Sequence, residues 1–184
     1  MLTLNEKHEY WDGDIQYDAT TAIIKEAGLM PEYNSPNSEW YMNRGTAVHL
    51  ATELYDKGIL DESTLDPAIV GYLESYKKLG LKYKPEEIEM MLADPLNRTA
   101  GTLDRPDCDL KTGSPAGWHL IQAGQYWRLK KINGLGAAPI KTWYLQEDGS
   151  MPKVKEYNLA ELTRGENIFH AALIVVRARR ELLK

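Results

Sequence analysis

The amino-acid sequence predicts a mixed α/β domain with one central β-sheet, and three observations support this fold class. The chain has 184 residues, of which 43% are apolar and 27% are charged. This composition is typical of a globular protein and excludes wholesale disorder. Helix start and stop signals recur along the chain, and short alternating apolar segments lie between them. We therefore treat residues 1–184 as a single domain.

Four helices are predicted from capping residues and prolines at their starts. The starts are at Ser35-Pro36, Asp66-Pro67, Ser114-Pro115 and Asn158, the last of which forms a capping-box pattern with Glu161. Glycines end the first two helices, and the third helix is expected to end before an Asn-Gly pair. These ends are at Gly58, at Gly80 and at about Lys131.

The predicted strands lie between these helices. Tyr10 and Ile15 flank an Asp-Gly turn, which indicates a hairpin. Residues 88–92 alternate between apolar and other side chains, and residues 99–103 form a second candidate strand. Residues 140–145 and 154–157 flank another Asp-Gly pair and indicate a second hairpin.

Composition and charge restrict the classes of function. The net charge is -5, but residues 1–92 carry 8 basic and 17 acidic side chains, whereas residues 93–184 carry 14 basic and 10 acidic ones. An acidic half beside a basic half suits a protein that holds metal ions near a polyanion, although chance explains such asymmetry equally well. No apolar run approaches the length of a membrane span, and residues 1–18 do not resemble a signal peptide. The single cysteine, Cys108, fits a reducing compartment, so we expect a cytoplasmic protein without membrane attachment.

The residues that indicate chemistry lie in one block of the sequence. Asp109 and Lys111 are two residues apart, so a strand places them on the same face. If the chain turns between Asp104 and Asp109, the two carboxylates meet across a hairpin, and they repel each other unless a cation lies between them. Hard oxygen ligands suit Mg²⁺ or Mn²⁺, and a lysine beside them can neutralise charge on a phosphate. Together these groups predict a site for phosphodiester hydrolysis.

On these residues the chain resembles the PD-(D/E)XK nucleases, in their RecB-like, often phage-encoded exonuclease branch. The motifs that support this resemblance are residues 20–29, Arg44-Gly45-Thr46-Ala47-Val48-His49, Ile88-Glu89, Gly101-Thr102-Leu103-Asp104, Asp109-Leu110-Lys111-Thr112-Gly113, and Gln122 with Tyr126. The resemblance covers most of the chain. It implies a restriction-endonuclease-like core, in which helices flank a central mixed β-sheet, together with a DNA substrate and a Mg²⁺ or Mn²⁺ cofactor.

The resemblance also implies roles for individual residues. The metal ligands would be Asp104, Asp109, the carbonyl oxygen of Leu110 and His49. Lys111 would be the catalytic lysine, Glu89 would hold a water at the metal, and Gln122 and Tyr126 would orient the site and the DNA backbone. Phosphate contacts are expected from Arg44, Arg105, Thr112 and Ser114. Plain alternatives remain: surface roles for the two arginines, helix packing for Gln122 and Tyr126, and an exposed strand carboxylate for Glu89.

Helical geometry supports the role of His49 independently. At 100° per residue, His49 lies nearly opposite the apolar stripe of Ala47, Ala51 and Leu54. A histidine on that face is not needed for packing the helix onto the core. The sequence therefore places its imidazole where a site residue would lie.

Two features depart from the pattern of the family. Some branches bind an iron–sulfur cluster through four cysteines, and a single cysteine excludes such a cluster here. In addition, only four residues separate Asp104 from Asp109, where the family has a longer hairpin. Either a tight turn replaces the hairpin, or the sequence lacks hairpin residues. We favour the second explanation because the central strand would otherwise lose most of its length.

The sequence therefore predicts a metal-dependent DNA nuclease, expected to be an exonuclease, that acts in DNA processing, recombination or repair. The main alternative is a catalytically silent DNA-binding or assembly protein on the same scaffold, and a small-molecule phosphoesterase is a third interpretation. The expected partner is DNA, with a second copy of the chain or a recombination protein as further candidates. The expected location is the cytoplasm of a bacterium or of a phage-infected cell.

Overall fold

The structure is a computed structural model, and it describes residues 1–31 and 36–183. Within these ranges it has eight strands and five α-helices, arranged around the sheet as the predicted α/β class requires. In chain order they are β1 (Leu2–Leu4), β2 (Tyr10–Asp12), β3 (Ile15–Ala19), α1 (Thr20–Glu26), α2 (Ser38–Asp56), α3 (Pro67–Lys77), β4 (Met90–Asp94), β5 (Thr99–Leu103), β6 (Cys108–Lys111), α4 (Trp118–Ile132), β7 (Lys141–Tyr144), β8 (Lys153–Glu156) and α5 (Leu159–Leu182).

The strands of the mixed β-sheet predicted from the sequence form two hydrogen-bonded groups. The order of the first group is β1-β2-β3-β5-β4 and that of the second is β6-β7-β8. Strands β3 and β5 are parallel, as are β6 and β7, whereas the other neighbours are antiparallel. Both groups are therefore mixed, as the mixed-sheet prediction requires, and the turn between β5 and β6 connects them.

A tight turn joins β5 to β6, which differs from our expectation that hairpin residues are missing from the sequence. The backbone N–H of Arg105 donates to the carbonyl oxygen of Cys108 over 3.3 Å, and this bond closes the turn. The four residues between Asp104 and Asp109 are enough to reverse the chain, so a longer hairpin is not needed to bring the two aspartates together. The two hydrogen-bonded groups separate here because the turn leaves no room for a ladder.

Most helix boundaries follow the predicted signals. The Asp66 carboxylate accepts from the N–H of Ala68 at the start of α3, and Gly58 follows α2 with φ +68°. The capping box of Asn158 and Glu161 opens α5 with both of its hydrogen bonds. Ser35 lies outside the described residues, and the first described residue of α2 is Ser38.

The predicted start of α4 at Ser114-Pro115 is wrong by about one helical turn. The helix begins at Trp118, and no side chain caps it. Residues 114–117 form a loop, in which the N–H of Ala116 donates to Nδ1 of His119. This loop carries the chain from the end of β6 to the start of α4.

Close packing of helices fixes the position of α4 behind β5. A Cβ atom added to Gly124 would lie 2.3 Å from the backbone nitrogen of Glu166, so α4 and α5 cross with their backbones in contact. On the other face of α4, a Cβ atom on Gly101 would lie 2.6 Å from Cε1 of Tyr126. Glycine at these two positions therefore allows α4 to pack tightly between α5 and the sheet.

Candidate metal centre

Three side chains from three different elements converge at one end of β4 and β5. They are His49 from α2, Glu89 immediately before β4, and Asp104 immediately after β5. One potential ligand atom from each lies within 4.8 Å of the others. Nδ1 of His49 is 3.2 Å from Oδ1 of Asp104, so the imidazole and the carboxylate are in direct contact.

The backbone holds Glu89 and Asp104 beside each other. The N–H of Glu89 donates to the carbonyl oxygen of Asp104 over 3.1 Å, which continues the β4–β5 pairing past its last strand residues. Glu89 has φ +52°, a left-handed conformation that is uncommon for a residue with a side chain. This conformation stands just before the first residue of β4, and the carboxylate of Glu89 lies beside that of Asp104.

Asp104 also contacts the first residues of β6. Its Oδ2 accepts from the N–H of Leu110 over 2.6 Å, while Oδ1 faces His49. Both oxygens of this buried carboxylate are therefore oriented by the tight turn. Leu110 itself is fully buried, and the assignment of its carbonyl oxygen as a ligand stays a prediction.

Asp109 and Lys111 share a face of β6, as their spacing predicted. Nζ of Lys111 is 2.6 Å from Oδ2 of Asp109, and both side chains are mostly buried. Asp109 is not part of the cluster formed by His49, Glu89 and Asp104. Its expected role as a metal ligand therefore stays a prediction, and in the structure its observed partner is the lysine.

Charge repulsion and burial shift the ionisation of the whole site. Burial raises the pKa of Glu89 to about 8, and the negative charge of Asp104 adds to this rise. Burial also raises the pKa of Asp109, and the attraction of Lys111 only partly opposes it. Burial alone would lower the pKa of His49, but the Asp104 carboxylate raises it to about 9. Without a metal ion, burial therefore disfavours the charged forms of Glu89 and Asp109.

Helix α4 packs against β5 and carries two of the predicted site residues. Nε2 of Gln122 donates to the hydroxyl of Tyr126 over 3.1 Å, and both side chains are buried. Burial raises the pKa of Tyr126 well above its usual range, and the charge of Asp109 contributes to this rise. One turn earlier, the ring of Trp118 lies beside the ammonium of Lys111, with 5.5 Å between the ring centroid and Nζ. No sequence motif pointed to Trp118 as a neighbour of the site.

Arg44 lies at the entrance of this region, among aromatic rings. Its guanidinium is 4.9 Å from the ring centroids of both Trp40 and Tyr72, and Nη2 donates to the carbonyl oxygen of Thr112 over 3.3 Å. Ser114 is exposed two residues further along the chain. These positions bring Arg44, Thr112 and Ser114 to the same end of β6, and their contact with DNA phosphates stays a prediction.

The prediction that Arg105 contacts phosphates is wrong because this residue has no exposed surface. Its Nε donates to Oδ2 of Asp56 over 2.7 Å and also contacts the hydroxyl of Tyr76. Its Nη1 donates to the carbonyl oxygen of Asp104 and lies 3.5 Å from Oε1 of Glu89. Sequence reasoning missed Asp56 and Tyr76 because only the fold brings these helix residues to the β5–β6 turn.

The donor set of this cluster fits a divalent cation. Oε1 of Glu89 is a buried oxygen without a hydrogen-bond partner in the described part of the chain. Such an oxygen is costly to bury unless a cation or a donor satisfies it. One imidazole and two carboxylates form a ligand set suited to Mn²⁺, and the carboxylates also suit Mg²⁺. His49, Glu89 and Asp104 could therefore hold a metal ion.

Comparison with known proteins shows the fold. No protein-family model and no curated protein sequence matches this chain. The crystal structure of a protein from Eubacterium rectale, named "Putative exonuclease", is similar to it with a TM-score of 0.57 and 10% sequence identity. The similarity covers 89% of this chain and 80% of the Eubacterium rectale chain. Among the described residues, no helix is both long and apolar enough to cross a membrane.

Proposed function

We propose that this chain is a metal-dependent DNA nuclease that hydrolyses phosphodiester bonds and acts as an exonuclease in DNA processing, recombination or repair. The cluster of His49, Glu89 and Asp104 beside the Asp109–Lys111 pair is the observation that carries this proposal. The name of the Eubacterium rectale neighbour agrees with it. The motif order favours the RecB-like branch of the PD-(D/E)XK nucleases, in the cytoplasm of a bacterium or a phage-infected cell.

The proposed roles follow from the contacts in the site. His49, Glu89 and Asp104 would hold a Mg²⁺ or Mn²⁺ ion, with Asp109 and the Leu110 carbonyl as further ligands. When bound, such an ion would lower the pKa of a water molecule and stabilise negative charge on the leaving oxygen. The ammonium of Lys111, held in place by Asp109, would donate to the phosphate oxygens as negative charge develops on them.

The surrounding residues would orient the reacting groups. Gln122 and Tyr126 would orient the site from helix α4, where Gln122 donates to the Tyr126 hydroxyl and the charge of Asp109 acts on Tyr126. Arg44, Thr112 and Ser114 would contact the DNA backbone at the end of β6. A second copy of the chain or a recombination protein would act as a partner outside the site.

A nuclease assay tests the proposal directly. End-labelled linear DNA, nicked DNA and closed circular DNA are incubated with the purified protein and Mg²⁺ or Mn²⁺, and then with EDTA. We expect degradation of linear DNA from its ends, no cleavage of the closed circle, and complete loss of cleavage in EDTA. The Asp104→Asn variant, purified in parallel, controls for contaminating nucleases. Cleavage that continues unchanged in EDTA, or equal cleavage by this variant, would refute the proposed site.

A catalytically silent DNA-binding protein is the second candidate, because the ion pair between Lys111 and Asp109 ties up one predicted ligand. Thermal unfolding with and without Mn²⁺ separates the two, since a ligand that binds only the folded state raises the melting temperature. A metal-dependent rise with DNA cleavage supports the nuclease. DNA binding without cleavage and without a metal-dependent rise supports the silent protein.

A further inference from the structure

We propose that Arg105 is a positioning residue that holds the metal-binding carboxylates in place from beneath the site. This inference rests on the proposed metal centre and adds a residue that does not touch the metal or the substrate. Arg105 follows Asp104 directly in the chain, and its side chain is fully buried. A charge with no access to water needs fixed partners, and the identity of these partners indicates what the residue does.

The partners on one side of the guanidinium anchor it to the helices. Nε donates to Oδ2 of Asp56, whose side chain is only 2% exposed, and the hydroxyl of Tyr76 donates to the same carboxylate oxygen. The guanidinium carbon is 5.7 Å from the ring centroids of both Tyr76 and Tyr83. Two rings and a buried carboxylate therefore fix the plane of the guanidinium.

The partners on the other side belong to the metal centre. Nη1 donates to the carbonyl oxygen of Asp104 and is 3.5 Å from Oε1 of Glu89. The same carbonyl oxygen accepts the N–H of Glu89. One nitrogen of Arg105 therefore contacts both residues whose carboxylates face His49. Through this nitrogen, the arginine links the backbone of Asp104 to the carboxylate of Glu89.

The remaining hydrogen-bonding capacity agrees with this role. Nη2 of Arg105 and Oε1 of Glu89 are both buried without a hydrogen-bond partner in residues 1–31 and 36–183. An arginine that served only to neutralise Asp56 would not need to reach Glu89. Groups behind metal ligands that fix their orientation typically contribute about tenfold to a hundredfold in metal affinity. We expect an effect of this size from Arg105.

The test uses Arg105→Lys, which keeps the positive charge beside Asp56 but removes the planar group that reaches Asp104 and Glu89 at once. Mn²⁺ binding to the metal-free protein is measured by calorimetry. The Kd for Mn²⁺ should rise about tenfold to a hundredfold while the circular dichroism spectrum stays unchanged. An unchanged Kd in a folded variant would overturn the proposal and leave Arg105 with a purely structural role.

Arg128→Lys is the matched control. Arg128 also lies between two carboxylates, Asp94 and Glu166, but Asp94 is at the opposite end of β4 from Glu89. The control should keep the wild-type Kd for Mn²⁺ even if its melting temperature falls. An equal loss of affinity in both variants would overturn the proposal, because it would show a general effect of destabilisation.

If Arg105→Lys does not fold, the Asp56→Asn variant is measured instead. This substitution removes the carboxylate that pairs with Arg105, so the guanidinium would compete with the cation for Glu89. The affinity for Mn²⁺ should then fall. Unchanged affinity in Asp56→Asn would then overturn the proposal. If the wild-type protein itself binds no Mn²⁺, the metal centre fails together with this inference. If the wild type binds Mn²⁺ and cleaves DNA but Arg105→Lys binds Mn²⁺ with the same affinity, the role of Arg105 is rejected while the proposed function stands.

Discussion

Two arginines of this chain each lie between carboxylates, and the two regions differ in how completely their charges are matched. Arg128 contacts Asp94 over 3.0 Å and Glu166 over 3.1 Å, and Lys131 is a second partner of Glu166. None of these four side chains has a buried polar atom without a partner in the part of the chain that the structure describes. In contrast, Oε1 of Glu89 and Nη2 of Arg105 have no hydrogen-bond partner in the described residues, although Oε1 lies 3.5 Å from Nη1 of Arg105.

The ionisation of the carboxylates reflects this difference. Burial would raise the pKa of Asp94, but hydrogen bonds from Asn97 and the charge of Arg128 bring it below its usual value. Burial and Asp104 instead raise the pKa of Glu89 to about 8. A carboxylate that is satisfied by its neighbours is stable without a ligand, whereas an under-neutralised one favours a cation. The first region therefore stabilises the fold, and the second supports a metal site.

The largest expected effect comes from a pair of Asp→Asn substitutions, one in each region. Asp104→Asn should reduce Mg²⁺-dependent cleavage below detection, because one metal ligand loses its charge, while the protein stays folded. Asp94→Asn should keep the cleavage rate per folded molecule and lose about 1–3 kcal/mol of stability, because its bonds to Arg128 weaken. Cleavage and urea unfolding are measured on both variants. Cleavage lost from Asp94→Asn at full folding would remove the distinction between the regions.

The second prediction separates Lys111 from its ion-pair partner. Lys111→Ala should slow cleavage by about a hundredfold to a thousandfold, because a donor to the developing charge is lost. Its Mn²⁺ affinity should remain or increase, since a positive charge near the cation is gone. Asp109→Asn should lose both cleavage and affinity if Asp109 is a ligand as predicted. Calorimetry with Mn²⁺ and cleavage assays are run in parallel.

A lysine in the first region provides the control for this experiment. Lys131 also pairs with a carboxylate, Glu166, and lies against the ring of Trp127 with 3.4 Å between Nζ and the centroid. Lys131→Ala should therefore change stability slightly and leave cleavage at the wild-type rate. Wild-type cleavage by Lys111→Ala would mean that the lysine of the D-x-K motif is not catalytic in this chain.

Local signals made much of the fold predictable from the sequence. The capping box of Asn158 and Glu161 and the start of α3 at Asp66 depend on contacts between residues close in the chain, and both predictions are confirmed. The start of α4 is different, because residues 114–117 form a loop and the helix begins at Trp118 without a side-chain cap. A Ser-Pro pair also favours turns, so by itself it does not distinguish the start of a helix from a loop.

The site was predictable only in part, for a related reason. The spacing of Asp109 and Lys111 on a strand predicts their contact, and the structure has that ion pair at 2.6 Å. The burial of Arg105 was not predictable, since Asp56 lies 49 positions away in sequence. A surface arginine and a buried one look alike until the fold brings their partners together. Arg105 was assigned to DNA contact because the sequence does not show that Asp56 is its partner.

The third prediction compares two histidines. His49→Gln should raise the Kd for Mn²⁺ about tenfold or more, because loss of a group at a metal site typically has an effect of this size. The rate of DNA cleavage should fall as well. His170→Gln is the control, because His170 lies near the charges of Arg128 and Glu166 rather than the metal centre. Both variants are tested by calorimetry and by circular dichroism. If His49→Gln binds Mn²⁺ as tightly as the wild type but unfolds more easily, His49 has a structural role.

The smallest effect we expect is on the pH dependence of stability in the metal-free protein. The folded pKa of His49 is about 9, above its usual 6.5, so its contribution is fully present below about pH 6.5 and is lost as the pH rises through 9. The folded pKa of Glu89 is about 8, above its usual 4.5, so the folded protein binds more protons than the unfolded chain between these values. Stability must therefore fall as the pH rises.

Both groups act in the same direction, so the free energy of unfolding in EDTA should decline from about pH 5 to about pH 9. The decline should be modest because the His49 side chain is 31% exposed and water screens its charge. Urea unfolding at intervals across this range measures it, and Glu89→Gln and His49→Gln should each flatten the curve. Asp94→Asn should alter only the acid side, where a lowered carboxylate pKa stabilises the fold. A stability that rises between pH 5 and pH 9 in EDTA would contradict the raised pKa values of His49 and Glu89 in the folded protein.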